Sequence, residues 1–228
     1  MQNQDIIKIF NNGNIERTKD DNAYDTITNE EGSKSIKIAR TNVTKSNPTG
    51  DSQIGEAKTV PLETEGHDDV PGGTKFTYLQ IQDYGAATQF FEFAADNTKV
   101  EFGQDTLNFS DGYSTNIVST NHSENESSSA VKAIGYVDVS QPGSASRHFI
   151  SNATRQERVH SHTLGSEPGP AGFSSFPKNG TWVSELELNR GDRKNYDSNI
   201  KNVYQYTPKV GYFRYTNQTS TYTGKTKK

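Results

Sequence analysis

The stretch Val203-Tyr-Gln-Tyr-Thr-Pro-Lys-Val-Gly-Tyr-Phe-Arg-Tyr215 decides the fold class. Two short runs rich in tyrosine and valine flank Thr207-Pro208-Lys209, a pattern typical of a β-hairpin. Similar runs recur along the chain, among them Phe76–Ile81 and Thr181–Leu188, with turns rich in Gly, Pro, Asn and Ser between them. About eight to ten such strands predict an all-β protein, an antiparallel β-sandwich of the jelly-roll type.

The composition excludes several classes of protein. The 228 residues include no Cys, which rules out a disulfide scaffold, thiol catalysis and a cysteine zinc site. With six Leu and one Met a helical bundle is not expected, and the run Gln89–Phe93 is interpreted as a strand. No run approaches the roughly 18 apolar residues of a membrane span. The net charge of −4 argues against a nucleic-acid partner.

The first 70 residues differ from the rest of the chain. They are rich in Asp, Glu, Lys, Asn and Thr, and their only aromatic residues are Phe10 and Tyr24. We expect residues 1–70 to form an extended N-terminal arm that packs on another subunit or domain, or else a mobile extension without a role. Residues 71–228 would then form the β-sandwich domain. The N-terminus lacks the regions of a signal peptide, which indicates a cytoplasmic start.

The sharpest local motif is His160-Ser161-His162. On a strand, residues two apart project from one face, so both imidazoles can bind one ion, and a divalent metal is the candidate cofactor. Followed by Thr163-Leu-Gly165, the pair resembles the His-x-His tips of phage tail-collar and long-tail-fibre proteins, which bind a metal on a trimer axis. With Glu167 it also resembles the cupin metal motif, although Thr154 stands where a cupin has glycine. The alternative is two ordinary strand histidines.

Two motifs with acidic residues are candidates for catalytic or binding sites. Glu185 and Glu187 share one face of a predicted strand, and they resemble the paired carboxylates of laminarinase-like glycosidases. The neighbouring leucines favour an ordinary solvated face instead. Arg190-Gly191-Asp192 resembles an integrin-binding tripeptide, but a turn after a strand favours Gly-Asp without any such role. Neither motif is assigned a function.

Aromatic residues concentrate in the last fifth of the chain. Such side chains suit sugar stacking, a subunit interface or a plain core, and all three interpretations stay open. The candidate ligand-binding residues are Trp182, Tyr204, Tyr206, Tyr212 and Tyr215.

These features together resemble phage or small-virus coat, fibre and attachment proteins. The resemblance implies a viral structural protein in the virion: a homo-oligomer, trimeric or larger, that contacts other virion proteins and a cell-surface glycan. Its edge strands and N-terminal arm would be buried against neighbouring subunits. The alternative is a monomeric carbohydrate-binding module of a bacterial surface protein. A third hypothesis, a glycan-active or cupin-like enzyme, ranks last, so the chain is not expected to be an enzyme.

Overall fold

A computed structural model describes residues 3–62, 72–124, 129–141, 144–166, 169, 181–183, 192 and 196–227. The regular structure of these residues is mostly β, with one α-helix, α1 (Tyr84–Asn97). The strands are β1 (Asn3–Ile9), β2 (Ile15–Asn29), β3 (Ser35–Ala39), β4 (Lys58–Pro61), β5 (Lys75–Ile81), β6 (Gly103–Asn108), β7 (Ser114–Thr120), β8 (Tyr136–Gln141), β9 (Ser144–Phe149), β10 (Thr154–Ser161), β11 (Thr181–Val183), β12 (Asn202–Thr207), β13 (Gly211–Tyr215) and β14 (Thr219–Gly224).

Nine strands form the main sheet, in the order β11-β14-β13-β12-β10-β6-β7-β5-β4. All of its pairs are antiparallel except β10 with β12, which run parallel. Strands β1–β3 form a second sheet, and β8 and β9 form a separate two-stranded ribbon. The prediction of a mostly β protein with antiparallel sheets is therefore confirmed. The jelly-roll arrangement is not confirmed.

The helix α1 corrects the expectation of a strand at Gln89–Phe93. Its N-cap is Asp83, whose side chain accepts a hydrogen bond of 2.8 Å from the backbone N–H of Ala86. Pairs of apolar residues recur every four positions, which places them on one buried face of a helix. Taken alone, the adjacent phenylalanines are typical of a strand. They are instead the central pair of this repeat, whose four-residue spacing is that of a helix. The buried residues of α1 are Ala86, Ala87, Phe90, Phe91, Phe93, Ala94 and Ala95.

The N-terminal sheet packs on the same core as the helix. Ile7, Ile9, Ile27 and Ile38 are buried in one cluster with the phenylalanines of α1. The hydrophobic contact explains why isolated isoleucines in a polar segment still form ordered strands. The division of the chain near residue 70 stays a prediction. In the part of the chain that the structure describes, no helix has the length and apolarity that a membrane crossing requires.

The turn between β1 and β2 contacts the rest of the protein through Gly13, whose φ is +83°. A Cβ at this position would lie 2.9 Å from side-chain carbons of both Val100 and Thr120. We expect Gly13→Ala to lower the free energy of unfolding by about 1–3 kcal/mol, because both the left-handed backbone and the close contact disfavour a side chain. Urea unfolding measures this loss. Gly32→Ala is the matched control. Gly32 also has a positive φ, but a Cβ at this position would have no neighbouring atom within 4 Å. Equal losses in the two variants would contradict a role for the contact.

Candidate metal centre

The two histidines lie at the end of the main sheet, where His160 is in β10 and His162 directly follows its last residue, Ser161. The His160 and His162 rings lie on one face of the strand, with centroids 5.5 Å apart. Both neighbours of β10 fix the backbone here: the N–H of Ser161 donates to the carbonyl oxygen of Phe102 at 2.8 Å, and the N–H of His162 donates to that of Tyr206 at 2.9 Å. The two rings therefore project from one face, as the His-x-His spacing predicts for a strand.

Asp192 joins the two histidines from a distant part of the sequence. Its Oδ1 lies 2.9 Å from Nε2 of His160, and its Oδ2 lies 3.2 Å from Nε2 of His162. The three ligand atoms all lie within 4.8 Å of one another. The tripeptide Arg190-Gly191-Asp192 gives no sign of a metal site in the sequence, because Gly-Asp is common in turns and Asp192 is distant from the histidines.

The donor set fits a metal ion. Nε2 of His160 is buried 2.9 Å from Oδ1 of Asp192, an ion-pair distance, although the geometry of a hydrogen bond between them is poor. A buried ring nitrogen and a carboxylate oxygen that face each other this closely can both donate lone pairs to one cation. Two imidazoles and one carboxylate are also ligands that zinc uses in catalytic sites.

Charge and burial around the site favour the forms that bind metal. Burial lowers the pKa of the His160 imidazole, against the opposing effect of Asp192. Burial alone would raise the pKa of Asp192, but His160 and His162 hold it below the usual value. A neutral imidazole and an ionised carboxylate are the states in which these groups donate lone pairs to a metal.

Tyr215 of β13 encloses the site on one side. Its ring lies edge-on to that of His160, with centroids 6.0 Å apart and an interplanar angle of 86°. Tyr196 contacts Tyr215 in turn, at a centroid distance of 6.3 Å. Tyr215 is 5% exposed. Tyr215 therefore packs beside the candidate metal ligands and limits the freedom of the His160 ring.

Glu101 is a second acidic residue on the same face. The pairing of β6 with β10 continues past the end of β6, because the N–H of Phe102 also donates to the hydroxyl oxygen of Ser161 at 2.9 Å. Residue 101 therefore lies opposite His162, and opposite residues of an antiparallel pair project from one face. Glu101 is 6% exposed, so it is a buried acidic residue at the end of the sheet that carries the histidines. The sequence analysis did not identify it.

The tyrosines expected to bind a ligand lie mostly on the other face of the sheet, against α1. The hydroxyl of Tyr206 donates to Oδ1 of Asp96 at 3.1 Å, and that of Tyr212 donates to Oε1 of Glu92 at 2.7 Å. Tyr204 is buried too, at 3% exposure, and contacts Tyr212 edge-on. These rings form core packing rather than the exposed aromatic surface that glycan binding needs.

Other residues considered above are only partly described. Trp182 lies in β11, where its backbone pairs with Ser220 of β14. Glu167, Glu185 and Glu187 lie outside the described residues.

Fold and site together define a β-rich protein with a candidate His-His-Asp metal centre. A family model described as JAB-like toxin 1 matches residues 79–199, which include both histidines, Glu101 and Asp192. This match covers more than half of the 228 residues. The chain therefore belongs to the JAB-like toxin 1 family. No curated protein and no solved structure matches it.

The family match corrects the functional hypotheses made from the sequence. The match indicates a toxin domain, so the hypotheses of a viral capsid or fibre subunit and of a carbohydrate-binding module are both wrong. JAB-like toxin domains are typically metallopeptidase-like or deaminase-like enzymes, so the expectation that the chain is not an enzyme is wrong. The expectations on partners and location, which were a homo-oligomer, a surface glycan, no nucleic acid and a place in the virion, stay predictions.

Proposed function

We propose that this protein is a zinc-dependent hydrolase of amide bonds in polypeptides, and that His160, His162 and Asp192 hold the metal. The observation that carries the proposal is the convergence of two ring nitrogens and one carboxylate within 4.8 Å. Three protein ligands leave one coordination position for water or substrate, as in catalytic zinc sites. Structural zinc sites use four protein ligands instead.

The residue types favour peptide hydrolysis over deamination. Zinc-dependent nucleobase deaminases hold their metal with His and Cys ligands. This chain contains no Cys. A set of two histidines and a carboxylate is instead the kind that metallopeptidases use. Of the two activities typical of the family, the peptidase therefore suits this site better.

Glu101 supplies the proton transfers that amide hydrolysis needs. When bound, zinc supplies Lewis acidity, which lowers the pKa of a water molecule towards 7 and polarises the substrate carbonyl. The Glu101 carboxylate accepts the proton of the attacking water and donates it to the leaving nitrogen. Asp192 and the two histidines would hold the zinc ion in place, and Tyr215 shields His160 from solvent.

The experiment that tests this proposal compares zinc retention and proteolysis. The chelated protein is reloaded with zinc and passed through gel filtration, its metal content is measured, and its activity on unfolded casein is followed. We expect about one zinc per chain and metal-dependent cleavage. His162→Ala is expected to lose both. His148→Ala removes an imidazole that stacks on Phe109 and Tyr113, so it is the control and should keep both. Zinc retention by His162→Ala, or chelator-resistant cleavage, would contradict the proposal.

A further inference from the structure

A second cluster of polar side chains lies beneath α1, on the face of the main sheet opposite the histidines. At its centre Nζ of Lys227 lies 2.9 Å from Oε1 of Glu157, and the two side chains are 6% and 10% exposed. Glu157 stands three positions before His160 on β10, and residues an odd number of positions apart on a strand project from opposite faces. The cluster is therefore separate from the candidate metal centre, although the same strand carries both.

The ammonium of Lys227 has an acceptor for each of its three N–H bonds. Besides the Glu157 carboxylate, its Nζ donates to Oγ1 of Thr88 at 3.2 Å and to Oε1 of Gln104 at 3.3 Å. An ammonium carries three donors and no acceptor, so these three oxygens complete its hydrogen bonding.

Two tyrosine rings enclose the same ammonium. Nζ of Lys227 lies over the Tyr84 ring at 4.6 Å from the centroid and over the Tyr212 ring at 5.5 Å, distances at which an aromatic face attracts a cation. The Tyr84 hydroxyl donates to both carboxylate oxygens of Glu157, at 2.9 and 3.2 Å. Burial and the adjacent Glu157 raise the pKa of the Tyr84 phenol, so it stays neutral and keeps this donor. These contacts hold the carboxylate in position for the ammonium.

We call this arrangement the ammonium pocket. Three acceptors around one nitrogen fit a primary ammonium. A guanidinium presents five donors in a flat fork, and a quaternary ammonium has no N–H to donate, so neither matches this geometry. The members of the pocket are Tyr84 and Thr88 of α1, Gln104 of β6, Glu157 of β10 and Tyr212 of β13.

The group that fills the pocket comes from outside the family match. The match spans residues 79–199, which include every pocket member except Tyr212, whereas Lys227 lies beyond its end. The chain leaves β14 at Gly224, whose φ of +95° is one that glycine adopts without strain. The family domain thus provides most of a site for an ammonium group, and a later segment of this chain fills it.

We propose that the ammonium pocket is a binding site for a lysine side chain or another primary alkylammonium, and that Lys227 is its ligand in this chain. The Glu157 carboxylate selects a cation, because a neutral occupant would leave a buried charge without its partner. The three acceptors select a primary ammonium among cations. By binding Lys227, the pocket fastens the segment after β14 to α1 and to the strand of His160.

Replacing the missing ammonium by a small molecule tests this site. In Lys227→Ala the Glu157 carboxylate loses its charged partner, so we expect the thermal midpoint to fall by about 5–10 °C. About 100 mM n-propylammonium chloride, which matches the side-chain atoms removed, should restore about half of this loss, because a ligand that binds only the folded state stabilises it. At the same concentration, n-propanol with sodium chloride should restore none, and neither should tetramethylammonium chloride.

Lys225→Ala is the matched control, because Lys225 is exposed and its ammonium contacts the backbone carbonyl of Lys209. It should unfold close to the parent protein, and n-propylammonium should shift the midpoint of neither. Should Lys227→Ala be unfolded on its own, the same three additives are compared by the folded fraction in circular dichroism, and n-propylammonium alone is expected to restore the fold.

Three results would overturn the inference. Equal restoration by n-propanol or tetramethylammonium would show that the pocket accepts volume or charge rather than a primary ammonium. Restoration by none of the additives would mean that Lys227 is not a replaceable ligand. A response of Lys225→Ala as large as that of Lys227→Ala would place the effect outside the pocket.

Discussion

Glu101→Gln is expected to lower the rate of substrate cleavage by about 10²–10⁴-fold while the protein keeps its zinc. The amide has nearly the same size as the carboxylate, so the packing around this buried side chain is preserved. It cannot accept the proton of the attacking water, which removes general-base catalysis. The measurement is kcat at saturating zinc, together with the metal content after gel filtration.

Glu16→Gln is the control for this substitution, because Glu16 is exposed on the N-terminal sheet and lies away from the histidines. It should leave both quantities unchanged. Loss of zinc from Glu101→Gln would mean that Glu101 is a metal ligand rather than the base. An unchanged rate with zinc retained would show that the proton is transferred by another group.

Asp25→Ala is expected to lower the free energy of unfolding by about 3–5 kcal/mol. Asp25 is fully buried, and its Oδ1 lies 2.8 Å from Nε of Arg40. Its Oδ2 accepts the hydroxyl of Ser52 at 2.6 Å. Among the described residues, the substitution leaves the guanidinium, whose side chain is 7% exposed, with one carboxylate partner, Asp5 at 3.2 Å. Removing one member of a buried ion pair destabilises the fold, because the remaining charge stays buried without the partner that compensates for its lost solvation.

Urea unfolding at neutral pH measures this change. Asp111→Ala removes a carboxylate that is 56% exposed and lies 3.3 Å from Nε2 of His148. Such a surface pair contributes about 0–1 kcal/mol, so the control should unfold almost as the parent protein does. A loss below about 1 kcal/mol for Asp25→Ala would mean that water reaches the Arg40 guanidinium and that the pair does not hold the N-terminal sheet in place.

The parts of the fold that the sequence predicts correctly are those with local signals. The hairpin of β12 and β13 follows from two tyrosine-rich runs around Thr207-Pro208-Lys209. The shared face of His160 and His162 follows from the strand period of two. The helix was missed because Phe90 and Phe91 suggest a strand, and only the four-residue spacing to the alanines on either side indicates a helix.

The rest of the candidate site depends on contacts between distant segments. Asp192 lies 30 residues beyond His162, and no periodic pattern connects them. Glu101 stands between Val100 and Phe102, so strand alternation alone places it on a solvated face. In the structure Glu101 is nevertheless only 6% exposed. Its position becomes recognisable only when the pairing of β6 with β10 is known.

The parallel pairing of β10 with β12 determines when the centre can form during synthesis. Partner residues in this pair are 45 positions apart, as in Glu157 with Asn202, and such non-local pairings form slowly. A nascent chain that ends at residue 200 already contains every proposed ligand, but the strand of His160 has one unpaired edge. Tyr215, which packs on that ring, has also not been made. The strand of His160 therefore gains its second neighbour, and the His160 ring its contact with Tyr215, only after translation has passed β13.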